Sequence, residues 1–172
     1  SIYYIELKFS SCNFAGVNMT AILGTFVLFV RIKLPDSTIR VETRTMNRQV
    51  YQKLVNMGLL EALDKLDGHG FTRKTDDIIP YKEFPTSTKE EEILSYLRND
   101  WLGKNRLNFS GDVESAVLSS LWEIYANAFE HSGTPRVQSC GSYDRKNNTL
   151  SLLVGDLGKG ITTSVTDSLN NN

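Results

Sequence analysis

The chain has 172 residues, 40% hydrophobic and 23% charged, with a net charge of −1 from 19 basic and 20 acidic residues. That is an ordinary globular balance, enough for one large domain or two small ones. It leaves no broad basic field for a nucleic-acid backbone, so nucleic acid is not an expected partner. Two distant cysteines, Cys12 and Cys140, and two isolated histidines, His69 and His131, form no CxxC motif and no metal-ligand cluster. A reducing, cytoplasmic setting is expected.

Taken in order, Ile2–Phe9 is rich in β-branched and aromatic residues and reads as a strand. The most apolar run, Met19–Val30, is shorter than the ~20 residues that cross a bilayer and is closed by Arg31 and Lys33. No membrane association is expected. The run reads as a buried helix with Asn18 as its cap, ending before Pro35. Ser37–Arg44 alternates Ile39, Val41 and Thr43 with Arg40, Glu42 and Arg44, the pattern of a half-exposed strand. Asn47 opens a helix through Val50, Leu54, Val55, Leu59 and Leu60. This β-α-β-α run predicts a layered α/β module over residues 1–66.

The stretch from Asp64 to Glu92 carries glycines, two prolines and dense charge. It breaks the pattern, and residues 67–86 are expected as a linker between two lobes. Thr88 is expected to start a helix with glutamates 90, 91 and 92 near its N-terminus and Ile93, Leu94, Leu97, Trp101 and Leu102 on its apolar face. Ser110 caps the next helix, with Asp112 and Glu114 in its first turn. Gly133 and Pro135 end it. Two strands follow, Arg136–Asp144 and Thr149–Asp156, joined by a turn at Arg145–Asn148, where asparagine tolerates positive φ.

The helix from Ser110 to His131 carries the first chemical signal. Glu123, Asn127 and Glu130 recur at helical spacing and fall within a narrow arc. Ala116, Ser119, Ser120 and Ala126 share that side. A solvated edge of an amphipathic helix would show the same spacing. The functional alternative uses the residue types: an amide oxygen is a neutral hard ligand for Mg²⁺, and a carboxylate one turn away can accept a proton or orient a water. The second signal is Asp156 at the end of a strand, followed by Gly158 and Gly160 in the spacing D-x-G-x-G. A buried carboxylate there would accept from an exocyclic amine such as that of adenine, and the glycines allow close backbone approach. Asp-x-Gly is also common turn chemistry.

Together, ExxxN on a helix, then His-Ser-Gly, a hairpin and DxGxGI resemble the N box and G1 box of the GHKL (Bergerat-fold, histidine-kinase-like) ATPase superfamily. The resemblance spans about Thr88 to Asn172. It implies that Asn127 binds Mg²⁺, that Glu123 is the catalytic carboxylate, that Asp156 binds the adenine amino group, and that Gly158 and Gly160 shape the wall beside the base. "NAFEHSG" is most similar to the anti-sigma-like branch and the ATP-binding bacterial regulators. Sensor histidine kinases usually have asparagine where this chain has Glu123. The first lobe resembles a STAS domain, on its strand, helix, strand and the "VYQKLVNMGLLEAL" helix. It departs from regulated STAS domains at Gly16-Val17, where those carry Asp-Ser or Asp-Thr.

The expectation is therefore an α/β chain (an α+β two-layer sandwich): a STAS-like lobe over 1–66, a linker over 67–86, and a truncated Bergerat fold over 87–172. The ATP lid and second glycine motif that the resemblance implies are not within it, and Ser164–Asn172 would be the entrance to the lid. The expected function is a Mg-ATP-binding regulatory protein, hydrolysing ATP or phosphorylating a protein serine, with a regulator or sigma-factor-like protein as partner. The alternative is a non-catalytic interaction module on a nucleotide-fold scaffold.

Overall fold

The structure, a computed structural model, describes residues 2–63, 77–103, 106, 107 and 109–158. Residues 64–76 of the expected connection, Gly160 and the expected lid entrance at 164–172 lie outside the described residues. The fold is mixed helix and strand, built on two small sheets.

Strands β1 (Tyr4–Lys8) and β2 (Thr38–Glu42) pair in parallel, Tyr4 opposite Thr38, with helix α1 (Val17–Lys33) as the crossover. Gly16, in extended conformation, is the N-cap, and its carbonyl accepts from the Thr20 N–H. Asn18, expected as the cap, lies inside the first turn. α1 buries Thr20, Gly24, Val27, Leu28 and Val30 but leaves Ile22, Phe26 and Phe29 exposed. The helix read as buried is covered on two sides and open on the third.

Helix α2 (Arg48–Asn56) starts where the sequence indicates, with Asn47 Oδ1 accepting from the Gln49 N–H at 2.8 Å. The apolar period does not run unbroken to Leu60. Gly58 takes φ +70°, and a separate short helix α3 (Leu59–Leu63) follows. The break leaves the Met57 carbonyl free to accept from the Tyr81 N–H at 2.8 Å. The helix end is thereby tied to the next strand.

That strand, β3 (Ile78–Pro85), lies inside the segment expected as a linker. It pairs antiparallel with β4 (Arg136–Asp144), which pairs antiparallel with β5 (Thr149–Gly155), in the order β3-β4-β5. Pro80, Lys82 and Glu83 hid it, because proline and charge read as loop. Proline is accommodated on edge strands and at bulges, and here the register shifts between Ile79 and Lys82 on an edge strand. Helix α4 (Glu90–Tyr96) has Lys89 rather than Thr88 at its N-cap and runs into a π-helical turn, Leu97–Leu102. Helix α5 (Gly111–Ser132) has Ser110 at the N-cap position, without a side-chain capping bond, and Gly133 at φ +64° as its C-cap. The hairpin turn places Asn148 at φ +50°, as its asparagines suggest.

The β3-β4-β5 sheet is covered on both faces, where a two-layer sandwich would cover one. On one face α4, the π-helical turn and α5 build a core around Phe84, Ile93, Leu97, Trp101, Tyr125 and Val137. On the other, α1, α2 and α3 share a core with Tyr81, Cys140 and Leu153 of the sheet. The second core thus joins residues from both sides of the expected linker. Among the described residues no helix is long and apolar enough to cross a membrane.

Candidate functional site

Helix α5 is fixed on the sheet by one face. Leu118, Tyr125 and Ala128 are buried there. The Tyr125 hydroxyl donates to Ser139 Oγ on β4 at 2.7 Å, and the Phe84 ring meets Tyr125 and Tyr96 edge-on, at centroid distances of 5.8 and 5.2 Å. Burial pushes both tyrosine hydroxyls well above their ordinary pKa. The Tyr125 hydroxyl stays a neutral donor, and its bond to Ser139 fixes the rotation of α5 about its own axis.

That rotation decides where the stripe points. At about 100° per residue, Glu123, Asn127 and Glu130 lie on the side opposite Tyr125. All three are exposed. Among the described residues the Glu123 and Asn127 side chains have no hydrogen-bond or ion-pair partner, so their oxygens are available to a ligand. Ser119 and Ser120 are exposed beside them, whereas Ala126 is half-buried. The helix is therefore open along its outer face, with Val113 and Ile124 also exposed.

Asp156 follows the last residue of β5. Leu150, Leu152 and Val154 pack in the core beneath α5, while Leu153 packs in the core beneath α1. Strand alternation carried one residue further puts Asp156 on the α5 side. Gly155 pairs with Gln138, near the start of β4, and β4 begins four residues after α5 ends. Asp156 thus stands at the end of the sheet toward which α5 runs. Asn127 lies five residues before the end of α5, about 7.5 Å along the axis, with Glu123 roughly 6 Å further back. The expected buried carboxylate is a correction: Asp156 is exposed. The strand has ended, and Asp156 Oδ1 accepts the Gly158 N–H at 2.6 Å in a tight turn. Oδ2 remains free for a ligand amine.

Asp156 thus follows the β5 end that pairs near the start of β4, while Glu123 and Asn127 lie on the open side of α5. Two cavities of about 670 Å³ lie elsewhere. One is bordered by Arg31, Glu61, Lys82, Glu83 and Arg136, the other by Phe14, Ile22 and Leu153. Among the described residues no group of three or more His, Cys, Asp or Glu could hold a metal ion. A cation here would rest on the Asn127 amide and on the anionic ligand it accompanies, which suits Mg²⁺.

Sequence reasoning missed the groups behind Asp156. Gln138, 1% exposed, faces α1 and donates through Nε2 to the Ala21 carbonyl and to Thr25 Oγ1. Its only signal was a long amide side chain between Val137 and the small residues Ser139, Cys140 and Gly141. No family model, curated protein or solved structure matches the chain.

Proposed function

We propose that the chain binds Mg-ATP across the outer face of α5 and the end of β5. The observation that carries this reading is that Glu123, Asn127 and Asp156 are all exposed and, among the described residues, keep oxygens with no hydrogen-bond partner. Asp156 Oδ2 accepts from the adenine amino group. The Asn127 amide oxygen would hold Mg²⁺, which would supply charge neutralisation at the phosphates. Glu123 accepts a proton from, or orients, the attacking water or serine hydroxyl. Base to phosphate, the order Asp156, Asn127, Glu123 is the one the resemblance implies. The resemblance to GHKL ATPases supplies the substrate class, and a regulatory ATPase or serine kinase is the activity it favours. Gly158 and Gly160 are proposed for the wall beside the base from the resemblance alone.

The test is calorimetry of the full-length protein with ATP and Mg²⁺ at up to millimolar nucleotide. Saturable binding that requires Mg²⁺ is the expected result. A folded protein with no heat of binding overturns it and leaves the interaction-module reading.

A further inference from the structure

The α1 side of the sheet is built tightly against Gly155, the residue before Asp156. Thr25 Oγ1 donates to the Ala21 carbonyl at 2.8 Å, which leaves it to accept from Gln138 Nε2. Nε2 also donates to the Ala21 carbonyl at 3.2 Å, so both of its protons are engaged. Gln138 Oε1 accepts from the Tyr81 hydroxyl at 2.6 Å. The amide therefore has one orientation, fixed by α1 on one side and β3 on the other. Contact with α1 is close throughout. A Cβ on Gly24 would collide with Tyr81 Cε2 and lie 2.8 Å from Gln138 Oε1. A Cβ on Gly155 would lie 3.0 Å from Gln138 Nε2 and 3.2 Å from Thr25 Oγ1. Gly155 is the cross-strand partner of Gln138 and the residue before Asp156.

We propose that Gln138 and Thr25 are positioning residues for Asp156, and that α1 thereby regulates the end of β5 that carries this carboxylate. A displacement of α1 moves Thr25 and Gln138, and Gly155 has no side chain to absorb the change. Asp156 moves with Gly155. A signal received by the N-terminal module would in this way reach the base-recognition carboxylate through three residues, with no contact between that module and the nucleotide. The nucleotide part of this rests on the Mg-ATP reading, whereas the mechanical part does not.

The Gly158 amide reports the mechanical part directly, because its only acceptor shown is Asp156 Oδ1. Thr25→Val removes the hydroxyl and keeps the shape, Gly155→Ala wedges the contact, and Thr25→Ser restores the hydroxyl. Amide exchange read by NMR should be about tenfold faster at Gly158 in Thr25→Val and Gly155→Ala, with the Thr25→Ser rate close to wild type. The Tyr143 amide, at the far end of β4, should be unaffected. Unchanged Gly158 exchange in either variant that folds overturns the proposal. If wild type binds Mg-ATP, the ratio of ATP to GTP affinity should also fall in these variants, a change that general loosening of the fold does not produce. Absence of nucleotide binding to wild type defeats the Mg-ATP reading alone and leaves the exchange result to decide the coupling.

Discussion

Asp156 and Glu123 are both exposed carboxylates, yet they should behave differently. A carboxylate that accepts from an exocyclic amine selects adenine over guanine, since guanine presents a carbonyl at that ring position. Asp156→Asn exchanges a charge-assisted bond for a weaker one, about 1.5–3 kcal/mol, and should weaken ATP binding roughly ten- to a hundredfold. Glu123→Ala should leave binding intact, because a carboxylate near phosphates gives the anion no attraction, and should abolish turnover where the protein has any. ATP affinity and phosphate release in both variants decide it; loss of binding in Glu123→Ala with normal binding in Asp156→Asn reverses the roles. That Glu123 lies on a helix and Asp156 at a strand end was legible because helical spacing and strand ends are written locally. Their exposure was not. Whether a helix face is open depends on what packs against it, and that is settled by Tyr125 finding Ser139, fourteen residues away.

Helices and strands were legible in proportion to how local their signals are. The Asn47 cap, the Gly133 stop and the Asn148 turn each act within a few residues and stand as read. β3 and the α2–α3 break were hidden because each depends on the other: Met57 gives its carbonyl to Tyr81 across residues 58–80. The same distinction separates two glycines in helices. Gly24 sits in mid-helix because α1 must approach Tyr81 and Gln138, whereas a methyl group added at Gly111 would meet nothing within 4 Å. Gly24→Ala should overpack that contact and lower stability by about 1–3 kcal/mol, despite alanine's higher helix propensity. Gly111→Ala, in the first turn of α5, should be neutral or stabilising by up to about 1 kcal/mol. Urea midpoints measure both. Equal effects from the two substitutions would mean that α1 does not seat on the sheet as closely as the structure has it.

The two cores on opposite faces of the three-stranded sheet share one liability, which is buried groups that lose protons at high pH. Tyr96 and Tyr125 lie on the α5 side, Tyr81 and Cys140 on the α1 side. Burial pushes the Cys140 thiol from its ordinary 9.0 up to about 12. Burial likewise raises all three tyrosine hydroxyls above their ordinary 10.0, with Glu83 adding to the effect at Tyr81. Raised pKa values mean that the folded chain holds protons the unfolded chain gives up. Their contribution is fully present below about pH 9 and is lost as pH rises through the folded values. Each group costs about 1.4 kcal/mol per pH unit once its unfolded form has titrated, so four together cost about 5–6 kcal/mol per unit. A domain stability near the low end of about 5–15 kcal/mol is then exhausted about one unit above pH 10. The urea midpoint should be flat from pH 7 to 9 and fall steeply by pH 11. Tyr96→Phe isolates one contribution, since Ser139 keeps the Tyr125 hydroxyl as its closer partner, 2.7 against 3.3 Å. That variant should show a shallower alkaline slope by about one proton's worth. A midpoint as high at pH 11 as at pH 8 would place these hydroxyls in contact with water, and both cores would be looser than the structure describes.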